Sequence, residues 1–228
     1  QPGDVPRIVS ELQQLGFGGL NVTIPHKEAA YRFLANDRVS LIAVATTFVT
    51  VACAMAIESQ AVVYGGDIVD LSDAGTGLLA AVVPAATLLA ILDLNTEGSD
   101  HDVLEQGLIV AFMASIPAAF LLGTGANQAS AFVGFAMVGM VFTFSTSANI
   151  AVGRRIPSDI RAGTFGVLQA LVFLATSLGT AAGGIFAQSI GSERAAAGAM
   201  VATAAMALAA TTALRCCSVD EPSFASSS

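Results

Sequence analysis

The sequence predicts an all-α membrane protein: a bundle of about six transmembrane helices with a small N-terminal α/β fragment. Three observations carry this. Hydrophobic residues make up 54% of the 228-residue chain, charged residues only 11%, and the mean hydropathy is +0.74. A water-facing domain needs roughly 25% charge to cover its surface, so this chain cannot cover itself in water. The charges also gather at the two ends and in short breaks, leaving long uncharged runs between them. A run of about 20 such residues, at 1.5 Å each, crosses a hydrocarbon core of about 30 Å.

Residues 1–38 read as a separate unit. Pro6 to Leu15 suits a short amphipathic helix, with Ile8, Val9, Leu12 and Leu15 on one side. Gly16 to Gly19 ends it, Leu20 to Ile24 reads as a short strand stopped by Pro25, and His26 to Leu34 begins another helix. This segment is too short to bury a core of its own. Residues 39–215 hold the spans and 216–228 form a polar tail. The expected spans are Val39–Ile57, Ala74–Leu92, Gln106–Gly123, Ala129–Val152, Ala162–Ile190 and Ala195–Leu214. Polar connections separate them, including the aspartate-rich 58–73 and the acidic 93–105. Pro117 in the third span is tolerated because neighbouring helices re-satisfy the freed carbonyl. Gly179 and Gly183, four apart in the fifth span, mark a seam where another helix backbone comes close.

Loop charge sets the expected orientation. Lys27, Arg32, Arg38, Arg154, Arg155, Arg161 and Arg215 fall on one side of the spans and Arg194 on the other. Cytoplasmic loops carry the excess of Lys and Arg, so both termini are expected in the cytoplasm of a multi-pass cell-membrane protein. The net charge of −8 and pI near 4.5 exclude a nucleic-acid partner, which asks for clustered cations. The expected partners are the lipid bilayer and a small-molecule substrate. Cys53 and the vicinal Cys216–Cys217 pair read as free thiols rather than a disulfide framework. Asp100-His101-Asp102 reads as a solvated loop, because three adjacent side chains do not converge on one ion; no metal or cofactor is expected. No secretory signal is visible, and Gln1 reads as the start of a fragment. Polar groups within the spans face a bundle interior or a water-filled path, which makes Ser147, Asn149 and Gln169 the candidate substrate contacts, with helix-to-helix hydrogen bonding the other reading.

Two resemblances extend this reading. The loop Arg154-Arg155-Ile156-Pro157-Ser158-Asp159-Ile160-Arg161-Ala162-Gly163, with the glycine-rich run Gly179 to Gly184, resembles the major facilitator superfamily. The resemblance covers residues 39–215 and implies the C-terminal six-helix half of a transporter, with a second six-helix bundle as partner, from the same or another chain. Where family members carry a basic stretch between the second and third spans, Asp93 to Asp102 is acidic here. The second resemblance is sharper and shorter. Gly16-Phe17-Gly18-Gly19-Leu20-Asn21-Val22-Thr23-Ile24-Pro25-His26-Lys27-Glu28 resembles the substrate-domain motif of shikimate dehydrogenases. It implies substrate contacts from Asn21 and Thr23 and proton transfer by Lys27. The alternative function is thus an NADP-dependent oxidoreductase, and a third reading is a fusion product with neither activity. The candidate dinucleotide turn, Gly123-Thr124-Gly125, lacks a third glycine and an acid at ribose-binding distance, so it reads as a turn between spans.

Overall fold

The computed structural model describes residues 26–94, 96–125 and 127–219, and among them it contains helices and connections but no strand. Helix α1 is His26–Asn36, α2 is Arg38–Glu58 and α3 is Ala61–Val63, which runs into a π turn at Tyr64–Ile68. The others are α4 (Asp73–Leu92), α5 (Asp100–Thr124), α6 (Gln128–Val141), α7 (Thr143–Arg155), α8 (Arg161–Ile190) and α9 (Ser192–Val219). Among the described residues, six helical segments are long and apolar enough to cross a membrane: 38–68, 73–92, 100–124, 128–155, 161–190 and 192–217. The expected helix at Pro6–Leu15 and strand at Leu20–Ile24, and with them the α/β character of the N-terminal fragment, lie outside the described residues.

Three boundaries differ from expectation, each for a local reason. The acidic 93–105 stretch is not all connection, because α5 starts at Asp100. Ser99 caps it: the Ser99 hydroxyl accepts from the Asp102 N–H at 3.2 Å, and the Asp102 carboxylate accepts from the Ser99 N–H at 2.9 Å. That capping box satisfies two backbone donors reciprocally and starts the helix before its apolar run. The 58–73 connection continues as helix and π turn, held where the buried Tyr64 hydroxyl donates to the Leu122 carbonyl at 2.6 Å. Its ring meets Phe135 edge-on at 5.6 Å between centroids. The fourth span is also not continuous. It divides at Phe142, whose N–H donates to the carbonyl of Gly139, three residues back, at 3.1 Å. The tightened turn lies halfway along the 128–155 segment.

Helix α5 packs against α6, α7 and α9, while α2 packs against α8, α9 and α7, and α4 lies on α6. Small residues bring backbones together at these crossings. A Cβ at Gly179 would fall on the carbonyl oxygen of Ala52, and one at Gly183 on that of Ala56, so the α8–α2 seam is where the glycine spacing placed it. A Cβ at Gly139 would likewise fall on the Val83 carbonyl, and there the Thr87 hydroxyl donates to the Gly139 carbonyl at 2.7 Å, tying α4 to α6. The interior holds fully buried Leu104, Leu108, Leu122, Phe135, Phe144 and Met200. Outward, Leu89, Leu92, Phe120 and Phe173 are exposed, an apolar exterior that suits lipid and not water. α4 and α8 are the two least buried of the six segments.

Candidate functional site

The buried polar side chains are densest on α2, with Ser40, Thr46, Thr47 and Thr50, and others lie on α4, α5, α7, α8 and α9. On α2, Thr47 donates to the Ala43 carbonyl at 2.8 Å and Thr50 to the Thr46 carbonyl at 2.9 Å, so their hydroxyls are absorbed by their own helix. Thr46 and Thr143, the latter just beyond the Phe142 break, have buried hydroxyls with no partner among the described residues. The carbonyl that Thr143 would reach one turn back, Gly139, already accepts from Thr87.

The three candidate contact residues fall in different surroundings. Ser147 is fully buried, donates to the Thr143 carbonyl at 3.3 Å and lies against Gly107, where an added Cβ would sit 2.5 Å from the Ser147 oxygen. Its surroundings are those of a packing residue between α7 and α5. Asn149 is half-buried and borders a small apolar recess lined by Val44, Thr47 and Phe48 of α2 and by Leu168 and Leu171 of α8. Gln169, next in chain to Leu168, is exposed on the outward face of α8. Residues 169, 176 and 180, at i, i+7 and i+11, share one helix face. Gln169 and Thr180 are exposed there, with Thr176 half-buried between them. The buried residues of α8, Thr164, Leu168, Ala175, Gly179 and Gly183, lie about a quarter-turn round the helix from this stripe. Sequence reasoning named Gln169 and missed Thr180; an eleven-residue spacing within an uncharged run was the signal for it.

A charged cluster closes one end of the bundle. Arg155 donates to both carboxylate oxygens of Asp37 at 2.8 Å each, and its guanidinium is 3.7 Å from Asp100. Arg154 donates to the Gly98 carbonyl at 2.9 Å and to that of Thr96, and lies 3.8 Å from Asp100. The acidic second connection therefore meets the arginines of the fourth. Asp37 also caps α2, accepting from the Ser40 N–H at 3.2 Å. Burial pushes its carboxyl up, but the hydrogen bonds from Arg155 and Ser40 and the Arg155 charge outweigh burial and hold it below its ordinary value. Sequence reasoning read this loop as a family signature and did not foresee its pairing with Asp37.

Of the dehydrogenase-like positions, Asn21 and Thr23 lie outside the described residues, and Lys27 falls in the first turn of α1. Glu28, its neighbour, pairs with Arg32 at 2.7 Å on the exposed side of the helix. The Gly123–Gly125 turn ends α5, with Gly125 as a left-handed cap at φ 55°, and no strand precedes it among the described residues. Among the described residues, no three His, Cys, Asp or Glu side chains are grouped to hold a metal ion.

The family of the shikimate dehydrogenase substrate binding domain matches residues 1–46. A shikimate dehydrogenase (NADP(+)) of Methanocella arvoryzae is 74% identical over 27 residues, which are 12% of this chain and 10% of that protein. The chain thus matches about a tenth of the length of that curated relative. No solved structure matches.

Proposed function

We propose that the chain is one six-helix half of a secondary transporter of the major facilitator type, moving a small solute, and that a second six-helix body covers the outward face of α8. The observation carrying this is the polar stripe on that face. A polar side chain facing hydrocarbon costs free energy, so such groups turn toward protein or a water-filled path. Gln169 and Thr180 turn away from their own bundle, and a second body supplies the other wall. Transporters bind substrate near mid-membrane between two such bodies, beside interrupted helices. The Phe142 break, with the unpartnered Thr143 hydroxyl beside it, suits that depth.

The test uses purified full-length chain in liposomes, with shikimate as the first labelled solute because of the N-terminal resemblance. In a variant lacking the native cysteines, Gln169→Cys and Thr180→Cys are expected to cross-link two copies far more than Phe120→Cys on the exposed face of α5. Gln169→Leu is expected to lower uptake about tenfold, the equivalent of about 1.4 kcal/mol. Equal cross-linking at all three positions, with no uptake of any solute in a panel of small hydroxy acids and sugars, defeats the proposal.

The match over residues 1–46 favours one other reading, the NADP-dependent oxidoreductase. In that reading Asn21 and Thr23 hold the substrate and Lys27 transfers the proton. NADP-dependent oxidation of shikimate by the same protein, lost in Lys27→Ala, replaces the transporter reading with this one.

A further inference from the structure

A groove of about 440 Å³ opens on the side of the bundle where α2, α8 and α9 meet. Ala52 and Ala56 form one wall, Leu178, Ala182, Phe186 and Ile190 the second, and Ala195, Gly198 and Ala202 the third. The lining is apolar apart from Cys53 and one cation, Arg194, which stands at the mouth. Arg194 is exposed and makes no hydrogen bond or ion pair among the described residues. Glu193 next to it is turned away: an added Cβ on Gly125, at the end of α5, would meet the Glu193 carboxylate at 2.7 Å, on a different side of α9 from the groove.

The dimensions identify the occupant. Between Leu178 and Ile190 the groove follows α8 for about 18 Å at 1.5 Å per residue, against about 15 Å for half a hydrocarbon core. It therefore runs the depth of one leaflet, ending at the helix termini where head groups lie. Its cation is at that end and its apolar depth at the other, the polarity of a phospholipid. A partner helix would fill the length but has no need of a lone cation at the rim; a phosphodiester does. On α8 the groove residues centre about 100° round the helix from the Gln169–Thr180 stripe, so the groove borders the face given to the second body and does not coincide with it.

We infer that this groove holds one phospholipid from the leaflet on the Arg194 side, with an acyl chain along α8 and its phosphate on Arg194. This goes beyond the transport proposal and requires only that the bundle lie in a membrane. Small side chains line the groove because a chain must lie flat against the helices. Gly179 and Gly183 line it as well, at the edge where they press against the Ala52 and Ala56 backbone of α2.

Gly198 gives a clean test, because a Cβ there meets nothing within 4 Å and points into open space. The experiment is native mass spectrometry of the full chain released from detergent. Phosphatidylglycerol or phosphatidylcholine is added back to delipidated protein, and circular dichroism is recorded for each variant. Wild type is expected to retain one phospholipid per chain. Gly198→Phe, filling the groove, is expected to weaken that binding at least about tenfold with its helix content unchanged. Arg194→Gln is expected to keep some chain binding but lose the preference for phosphatidylglycerol. Gly166→Phe, on α8 away from the groove and equally open, serves as the control and is expected to bind as wild type does. Equal lipid retention by Gly198→Phe and wild type overturns the inference. So does a bare wild-type groove whose Gly198→Phe variant loses self-association, since the occupant is then a protein helix.

Discussion

Asp37 serves two elements at once, capping the first turn of α2 and accepting both arms of Arg155 from the end of α7. Its side chain is 19% exposed and that of Arg155 26%, enough shelter for a two-armed pair to outdo an ordinary surface bridge. Asp37→Asn keeps the shape and removes the charge, and should cost about 1–2 kcal/mol in a denaturant or thermal titration. The sign with pH follows from the lowered carboxyl. A carboxylate whose folded value lies below its unfolded one adds stability above the unfolded value, about 3.9, and loses it as pH falls through the folded value. The gap between wild type and Asp37→Asn is therefore expected to be constant near neutrality and to close below about pH 4. A gap unchanged in acid would show that the pair adds nothing through its charge.

At the scale of elements, the bundle depends on close crossings. In lipid, burial of apolar surface gives helices no net reason to associate, so packing and interhelical hydrogen bonds must do it. The α8–α2 crossing at Gly179 and Gly183 and the α4–α6 crossing at Gly139 both bring a glycine onto a facing carbonyl. Gly183→Leu inserts a side chain where the Ala56 backbone lies, and overpacking of this kind costs about 1–3 kcal/mol or more. Leu174 on the same helix is 49% exposed, so Leu174→Ala removes contact with lipid chiefly. In a detergent thermal-shift comparison, Gly183→Leu should melt well below wild type and Leu174→Ala close to it. The seam was legible from the four-residue glycine spacing. Its partner was not, because nothing in α8 names Ala52 and Ala56 as the residues opposite.

For the whole molecule, the bundle has two unlike ends. One gathers Asp37, Asp100, Arg154 and Arg155; the other carries Arg194, Glu193 and the Tyr64 turn. The loop-charge expectation that the arginine-rich end faces the cytoplasm has a direct test: single cysteines at positions 59–72 or 191–194 should then react with an impermeant thiol reagent applied outside intact cells. Cysteines at 154–161 should react only after permeabilisation. The reverse pattern inverts the proposed orientation. The clustered acids and bases also explain how an acidic second connection is accommodated: its Asp100 meets arginines supplied by the fourth.

What the sequence by itself determined was the number, order and approximate length of the apolar helices, and the glycine seam within one of them. Lipid makes these legible, since a span needs about 20 uncharged residues whatever its neighbours are. The N-terminal motif was legible for a different reason, as a short run of particular residues that the shikimate dehydrogenase family matches. Tertiary structure decided the rest. The break at Phe142 is accompanied by a carbonyl of Gly139 shared with Thr87, 52 positions away in the chain. From the sequence Ser147 could be a path residue or a helix-to-helix contact; the fold sets Gly107 of α5 against it, whereas Gln169, no more polar to the eye, turns outward. Along one helix every polar side chain looks alike. Which of them meets a glycine, a carbonyl or open space is set by helices distant in sequence, whose close packing no local pattern encodes.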